Sequence, residues 1–259
     1  MRSPAGIAGD LAVAIAFCTR LPVGALATDR SDLARASWAM PVAGALVALA
    51  GALAYWVPWR LGVAPSAAAA VALAATLLIT GCLHEDGLAD TADGFGGGDT
   101  RERKLAIMRD SRIGTFGVCA LIVSFALRWG ALASLATPLA VAAALIAAHV
   151  AARGVLPAFM RFVPPARPDG LAAQAGRPPL ASVVVAALIG AAALGLGLGP
   201  VAMVIATMLL AVAGAFMAWL TGRQIGGQTG DVLGALEQTA EMLVLLVAAG
   251  LQHQVSAHA

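Results

Sequence analysis

Asp86, Asp90 and Asp93 have a spacing that a helix turns into a cluster: at about 100° per residue they project near 0°, 40° and 340°, on one face. Like charges on adjoining turns repel, and at the end of an apolar segment the loss of water raises the cost. A cation is therefore expected among them. Carboxylate oxygens suit Mg²⁺ or Mn²⁺, and Mg²⁺ takes one or two carboxylates and keeps positions for water and substrate phosphate. The stretch has no thiolate cluster and a single imidazole, His84, so zinc is disfavoured. Carboxylate-held metal stabilises the attacking and leaving oxygens of a phosphoryl displacement. The chemistry expected is thus phosphoryl transfer dependent on a divalent metal, with Gly87, Gly94, Gly96, Gly97 and Gly98 letting backbone N–H groups approach a phosphate.

The surroundings strengthen this reading. Seven of the chain's fourteen acids (Glu85, Asp86, Asp90, Asp93, Asp99, Glu102 and Asp110) fall between residues 85 and 110. In the run IMRDSRIGTFG, Asp110 is a further candidate ligand, and Arg109 and Arg112 are candidates for phosphate oxygens, or else positive anchors at the membrane face. A second polar island, TGRQIGGQTGD from Thr221 to Asp231, places Gly227 and Thr229 in a turn suited to an anion. Asp231 lies at the start of the next helix, as a binding residue or as an N-cap. Glu237 and Glu241 lie one turn apart in an apolar stretch, where acids usually face a partner or a cavity. His84 projects about 200° from Asp86 on a continuous helix, which suits a substrate contact, ligand or interfacial residue better than a base. His149, His253 and His258 have no companion acid at useful spacing and read as structural.

These groups must be carried by a membrane protein. Of 259 residues, 60% are hydrophobic and 12% charged, with a mean hydropathy of +0.87. A chain this apolar is neither a soluble domain nor a solvated coil. A net charge of +2 argues against nucleic-acid binding. Cys18, Cys82 and Cys119 show no ligand spacing and are expected to pack. Asp10 borders the first apolar run and no clear cleavage site follows, so a cleaved signal peptide is not expected.

Stretches long enough to span are 38–57, 64–83, 116–136, 138–156, 180–198, 201–221 and 232–251. The expected fold is all-α, a transmembrane bundle of five to seven spans in one domain, 1–259. Within it lie the acidic segment 84–117 and a second polar motif, 222–241. Residues 7–18 are too short to cross and are expected to be interfacial or re-entrant. Fourteen of the sixteen Lys and Arg fall before the first span or in the segments after the second, fourth and sixth; Arg60 and Arg128 are the exceptions. Basic residues stay in the cytoplasm, so the N-terminus and the acidic helix are expected on that face of the membrane.

The motifs resemble those of the cobalamin synthase family, the membrane adenosylcobinamide-GDP ribazoletransferases. The resemblance rests on FCTRLPVG (Phe17 to Gly24), HEDGLADTADG (His84 to Gly94), IMRDSRIGTFG (Ile107 to Gly117) and IGGQTGDVLGALEQTAE (Ile225 to Glu241), in that order across nearly the whole chain. It implies a transferase of the bacterial inner membrane that joins the phospho-corrinoid of adenosylcobinamide-GDP to α-ribazole or its 5′-phosphate. Asp86, Asp90 and Asp93 would hold Mg²⁺ with Asp110 completing the set, and one of these carboxylates would take the proton of the attacking hydroxyl. His84, Arg109, Arg112, Gly227, Thr229 and Asp231 would contact substrate. An oligomer is allowed but not required. The family often has an apolar residue at the position of Glu85, which is therefore left out of the metal set.

Two alternatives stay open on sequence alone. A CDP-alcohol phosphotransferase making phospholipid has a related acidic signature, although Leu88-Ala89 stands where its Ala-Arg pair is expected. An ion-coupled transporter would use Glu237 and Glu241 as proton carriers.

Overall fold

In a bilayer every backbone polar group of a lipid-facing segment must be satisfied internally, which favours helices for apolar runs of this length. The computed structural model describes residues 6–23 and 33–257, and their regular structure is helical apart from one isolated bridge. Arg2, Gly24, Arg30 and His258 lie outside the described residues. In chain order the helices are α1 (Ile7–Cys18), α2 (Leu33–Ala36, continued by a 3₁₀ turn Ser37–Ala39), α3 (Met40–Arg60), α4 (Pro65–Thr80), α5 (Leu83–Gly97), α6 (Arg101–Ile107), α7 (Thr115–Leu135), α8 (Pro138–Phe162), α9 (Leu171–Ala175), α10 (Leu180–Ile225) and α11 (Gly230–Ala257).

Among the described residues, five helices are long and apolar enough to cross a membrane, or six if the bent pair α4–α5 counts as one span. This lies within the expected five to seven. At 46 residues, α10 would be about 69 Å long if straight, over twice the roughly 30 Å of hydrocarbon available. It breaks at Gly199, where φ is 85° and Pro200 follows. Gly190 and Leu194 from its first part line the same groove as Leu210 and Ala211 from its second, so the two parts fold back side by side. The separate stretches 180–198 and 201–221 anticipate this division.

Helix α8 forms the axis of the bundle, packing against α3, α10 and α11. Its buried face is rich in small residues, including Ala144, Ala147, Ala148, Ala151 and Ala152. In lipid, association depends on close packing, which such residues allow. α8 also corrects one sequence expectation. Arg153, counted with the basic residues that follow the fourth span although it falls within the stretch 138–156, is 1% exposed inside the helix, which continues to Phe162. Of the cysteines, Cys18 is buried as expected, whereas Cys82 and Cys119 are exposed. Cys82 serves the backbone instead. Together with Gly81 it adopts a left-handed conformation (φ 57° and 64°), and these two residues turn the chain by 88° from α4 into α5.

Candidate active site

Helix α5 carries the acidic motif, and its faces are sorted by chemistry. Glu85, His84, Ala89 and Asp93 are buried, Asp90 is partly exposed and Asp86 is exposed. Its packing on α11 is set by two glycines. A Cβ built on Gly87 would lie 2.7 Å from the Asp231 carbonyl oxygen and 3.1 Å from the Cα atoms of Asp231 and Gly234; one built on Gly234 would lie 3.1 Å from the His84 carbonyl oxygen. The two backbones therefore touch, and this contact carries Asp231 into the acidic cluster. The carboxylate charges acting on Asp90 are those of Asp86, Asp231 and Asp93.

The four acids differ in their bonding. Asp93 is already engaged: its Oδ2 accepts from Gly114 N–H (2.6 Å) and its Oδ1 from Gly117 N–H (2.8 Å). These N–H groups open α7, so Asp93 caps that helix from the side, an anion at the positive end of a helix dipole. Asp231 Oδ2 accepts from the Thr229 hydroxyl (3.1 Å) and lies 3.9 Å from Arg167, while the Thr229 hydroxyl accepts from Val232 N–H (3.3 Å). Asp86 and Asp90 have no side-chain hydrogen bond or ion pair among the described residues. Neither Asp86, Asp90 and Asp93 nor Asp86, Asp90 and Asp231 close into a ligand cage. Among the described residues, the one group of three whose ligand atoms lie within 4.8 Å of one another is His149, Glu237 and Glu241.

The second polar island meets the first on one side of the bundle. Gln228 N–H donates to Pro164 O and Ala166 N–H to Gln228 O, both at 2.8 Å, joining the α10–α11 turn to the segment after α8. Gly227 is required here: a Cβ would lie 2.2 Å from Pro164 O. Arg101, at the start of α6, donates to Ile225 O (2.8 Å) and Ala166 O (2.6 Å) and so ties both segments to the acidic stretch. Lys104 adds a bond to Gln224. Arg109 pairs with Asp169 at 2.5 Å, and together with Arg167 its charge reaches Asp231. Arg167 is a residue that sequence reasoning treated only as a marker of sidedness; its one signal is its place after α8, which gains meaning only when the α10–α11 turn folds beside it.

Three expected site residues lie apart. Asp110 and Arg112 bond to each other in an exposed loop, at 2.6 to 3.2 Å, and the guanidinium holds the Asp110 carboxyl down at about 2. His84 points away from the acidic face into a buried network of charges.

That network ties together four helices. Arg128 (α7) lies 3.0 Å from Glu85 (α5) and 3.2 Å from Glu241 (α11). Arg153 (α8) lies 2.6 Å from Glu237 (α11), whose other oxygen is 3.7 Å from His84 Nδ1. His149 (α8) lies 3.2 Å from Glu241, so the companion acid missing at sequence spacing is supplied by packing. Gln238 donates to Glu237 at 3.0 Å. Glu237 and Glu241 are thus held in buried ion pairs with arginine. A metal at His149, Glu237 and Glu241 would face two cations already in place, Arg128 and Arg153.

Comparison with known proteins agrees with this assembly of motifs. Residues 10–249 match the family described as cobalamin-5-phosphate synthase. The adenosylcobinamide-GDP ribazoletransferase of Bradyrhizobium diazoefficiens is 61% identical over 248 residues, covering 95% of each chain. Proteins of the same name from Mesorhizobium japonicum and Azorhizobium caulinodans are 52% and 45% identical, covering 95% and 93% of this chain and 95% of each relative. No solved structure matches. With its motifs in order along almost its entire length and gathered on one side of a helical membrane bundle, the chain belongs to the cobalamin-5-phosphate synthase family of adenosylcobinamide-GDP ribazoletransferases.

Proposed function

We propose that this protein transfers the phospho-corrinoid moiety of adenosylcobinamide-GDP to α-ribazole or α-ribazole 5′-phosphate, releasing GMP and giving adenosylcobalamin or its 5′-phosphate. Family membership supports the substrates. The observation that carries the chemistry is the backbone contact of α5 and α11 at Gly87 and Gly234, which brings Asp231 near enough for its charge to act on Asp90. These residues fit a divalent metal. They are hard oxygen donors from two helices, and the carboxylates of Asp86 and Asp90 are uncommitted. Asp86, Asp90 and Asp231 would hold Mg²⁺, which supplies charge neutralisation at the phosphate oxygens when bound. Asp93 acts from behind by fixing α7, and Asp110 joins the set only by releasing Arg112.

In the transfer, a ribose hydroxyl oxygen bonds to the corrinoid-side phosphorus and the bond from that phosphorus to the GMP phosphate oxygen breaks. The hydroxyl proton passes to a carboxylate of the pair Asp86 and Asp90. Arg167 and Arg109 would neutralise phosphate oxygens from the opposite side of Asp231. The positive-inside pattern supports a cytoplasmic position for this face, and family membership supports the inner membrane of a bacterium.

The test is conversion of adenosylcobinamide-GDP and α-ribazole to a cobamide by purified protein in liposomes, with Mg²⁺ and then with EDTA. Cobamide and GMP are expected with Mg²⁺ only, and Asp86→Asn or Asp90→Asn should remove at least about 100-fold of the rate. Turnover retained by these folded variants with unchanged Mg²⁺ dependence would overturn the assignment.

A further inference from the structure

The buried network includes the N-terminal turn of the helix that carries the acidic face. Glu85, the residue before Asp86, is 6% exposed and lies 3.0 Å from Arg128, which is itself 1% exposed. Buried ion pairs are weak sources of stability, because desolvation offsets the attraction; their best-attested use is to fix register. Here Glu85 Oε2, Arg128 Nε and Arg128 Nη2 are buried without a hydrogen-bond partner, so the pair is not optimised for bonding. Intramembrane charges are also costly enough to imply a function.

We propose that Glu85 is a positioning residue: its ion pair with Arg128 sets the rotation of α5 about its own axis, and so aims Asp86 and Asp90 at Asp231. Two observations carry this. First, the α5–α11 contact is made by glycines, Gly87 and Gly234, whose bare backbones give little steric resistance to rotation. Second, Asp86 is the adjacent carboxylate, about 100° around the helix. A guanidinium deprived of Glu85 would draw Asp86 toward α7 and away from Asp231. The longer Glu side chain, buried and paired, keeps Asp86 on the open face. His84, 3.4 Å from Arg153 on the α8 side, is a second point of attachment for the same turn.

The inference rests on Asp86 and Asp90 holding a divalent metal, and its test reads metal binding without turnover. Mn²⁺ binding to purified protein in detergent would be followed by loss of the free-ion EPR signal, beside thermal unfolding, for wild type, Glu85→Gln, Glu85→Asp and Glu241→Gln. Glu85→Gln is expected to weaken Mn²⁺ binding about 10- to 100-fold, the range typical when a group orienting a ligand is lost. Glu85→Asp should recover part of that loss. Glu241→Gln removes the other partner of Arg128 without touching α5, and should lower the unfolding temperature while leaving Mn²⁺ affinity within about 3-fold. Equal Mn²⁺ affinity in wild type and a folded Glu85→Gln overturns the positioning role alone, as does a folded Glu85→Asp that recovers none of the loss. So does a loss of affinity that follows the unfolding temperature equally in Glu85→Gln and Glu241→Gln. A wild-type protein that takes up no Mn²⁺ overturns the metal assignment, and the positioning role with it.

Discussion

Gly87→Ala adds one methyl group at the point where α5 and α11 touch. Its Cβ would lie 2.7 Å from Asp231 O, with the Cα atoms of Asp231 and Gly234 at 3.1 Å. An unstrained contact needs about 3.5 Å, so the helices must part by roughly 0.8 Å. The obstacles are backbone atoms, so no side-chain rotation can relieve the clash. For folding, overpacking costs about 1–3 kcal/mol, and about 1 kcal/mol is returned because Ala favours a helix over Gly. The net loss is therefore about 0–2 kcal/mol, and the protein should fold. For catalysis, a misplacement of about 1 Å can cost about 100-fold in rate, and the displaced residue is Asp231 itself. The measurement is GMP release from adenosylcobinamide-GDP in liposomes, beside thermal unfolding in detergent. The rate is expected to fall about 100-fold with a small change in unfolding temperature. Gly130→Ala, at a position where the added methyl meets nothing within 4 Å, should leave the rate unchanged. Gly87→Ala protein within about 3-fold of the wild-type rate would refute the argument that this contact assembles the site.

Asp93→Ala removes both acceptors at the start of α7, so it should destabilise by about 1–3 kcal/mol, more than Asp86→Ala, which breaks no bond. Equal unfolding temperatures for the two variants in detergent would show that Asp93 does not serve as a cap. Arg101→Met disconnects α6 from Ile225 and Ala166. Hydrogen exchange should accelerate at the amides of Ala166, Gly226 and Gln228 while the bundle helices keep their protection; unchanged exchange there would remove Arg101 from the assembly of the site.

Much of the fold can be read from the chain because lipid imposes a simple rule: an apolar stretch of about 20 residues must close its own backbone hydrogen bonds and therefore becomes a helix. The stretches 180–198 and 201–221 illustrate this, separated at Gly199-Pro200, where helical continuity is weakest. The acidic face of α5 was equally legible, because helical geometry alone brings Asp86 and Asp90 to one side. Local spacing could not say how each acid is used. Asp93 shares that side, yet packing gives both its oxygens to α7. Asp110 sits in an equally acidic motif, yet its nearest cation, Arg112, is two residues away in an exposed loop.

Tertiary structure decided the partners. Asp231 lies 141 residues from Asp90 in sequence, and its charge acts on Asp90 because two glycines let α5 and α11 meet backbone to backbone. Arg167 comes within 3.9 Å of Asp231 through the bridge between Pro165 and Gln228. His149, which has no acid at helical spacing, finds Glu241 on another helix, and Arg153, tallied with the basic residues that mark sidedness, is buried beside Glu237. Spacing within one helix is fixed by 100° per residue and can be read from the chain; contacts between helices depend on which small residues allow approach and which buried charges must be matched, and those are settled only when the bundle closes.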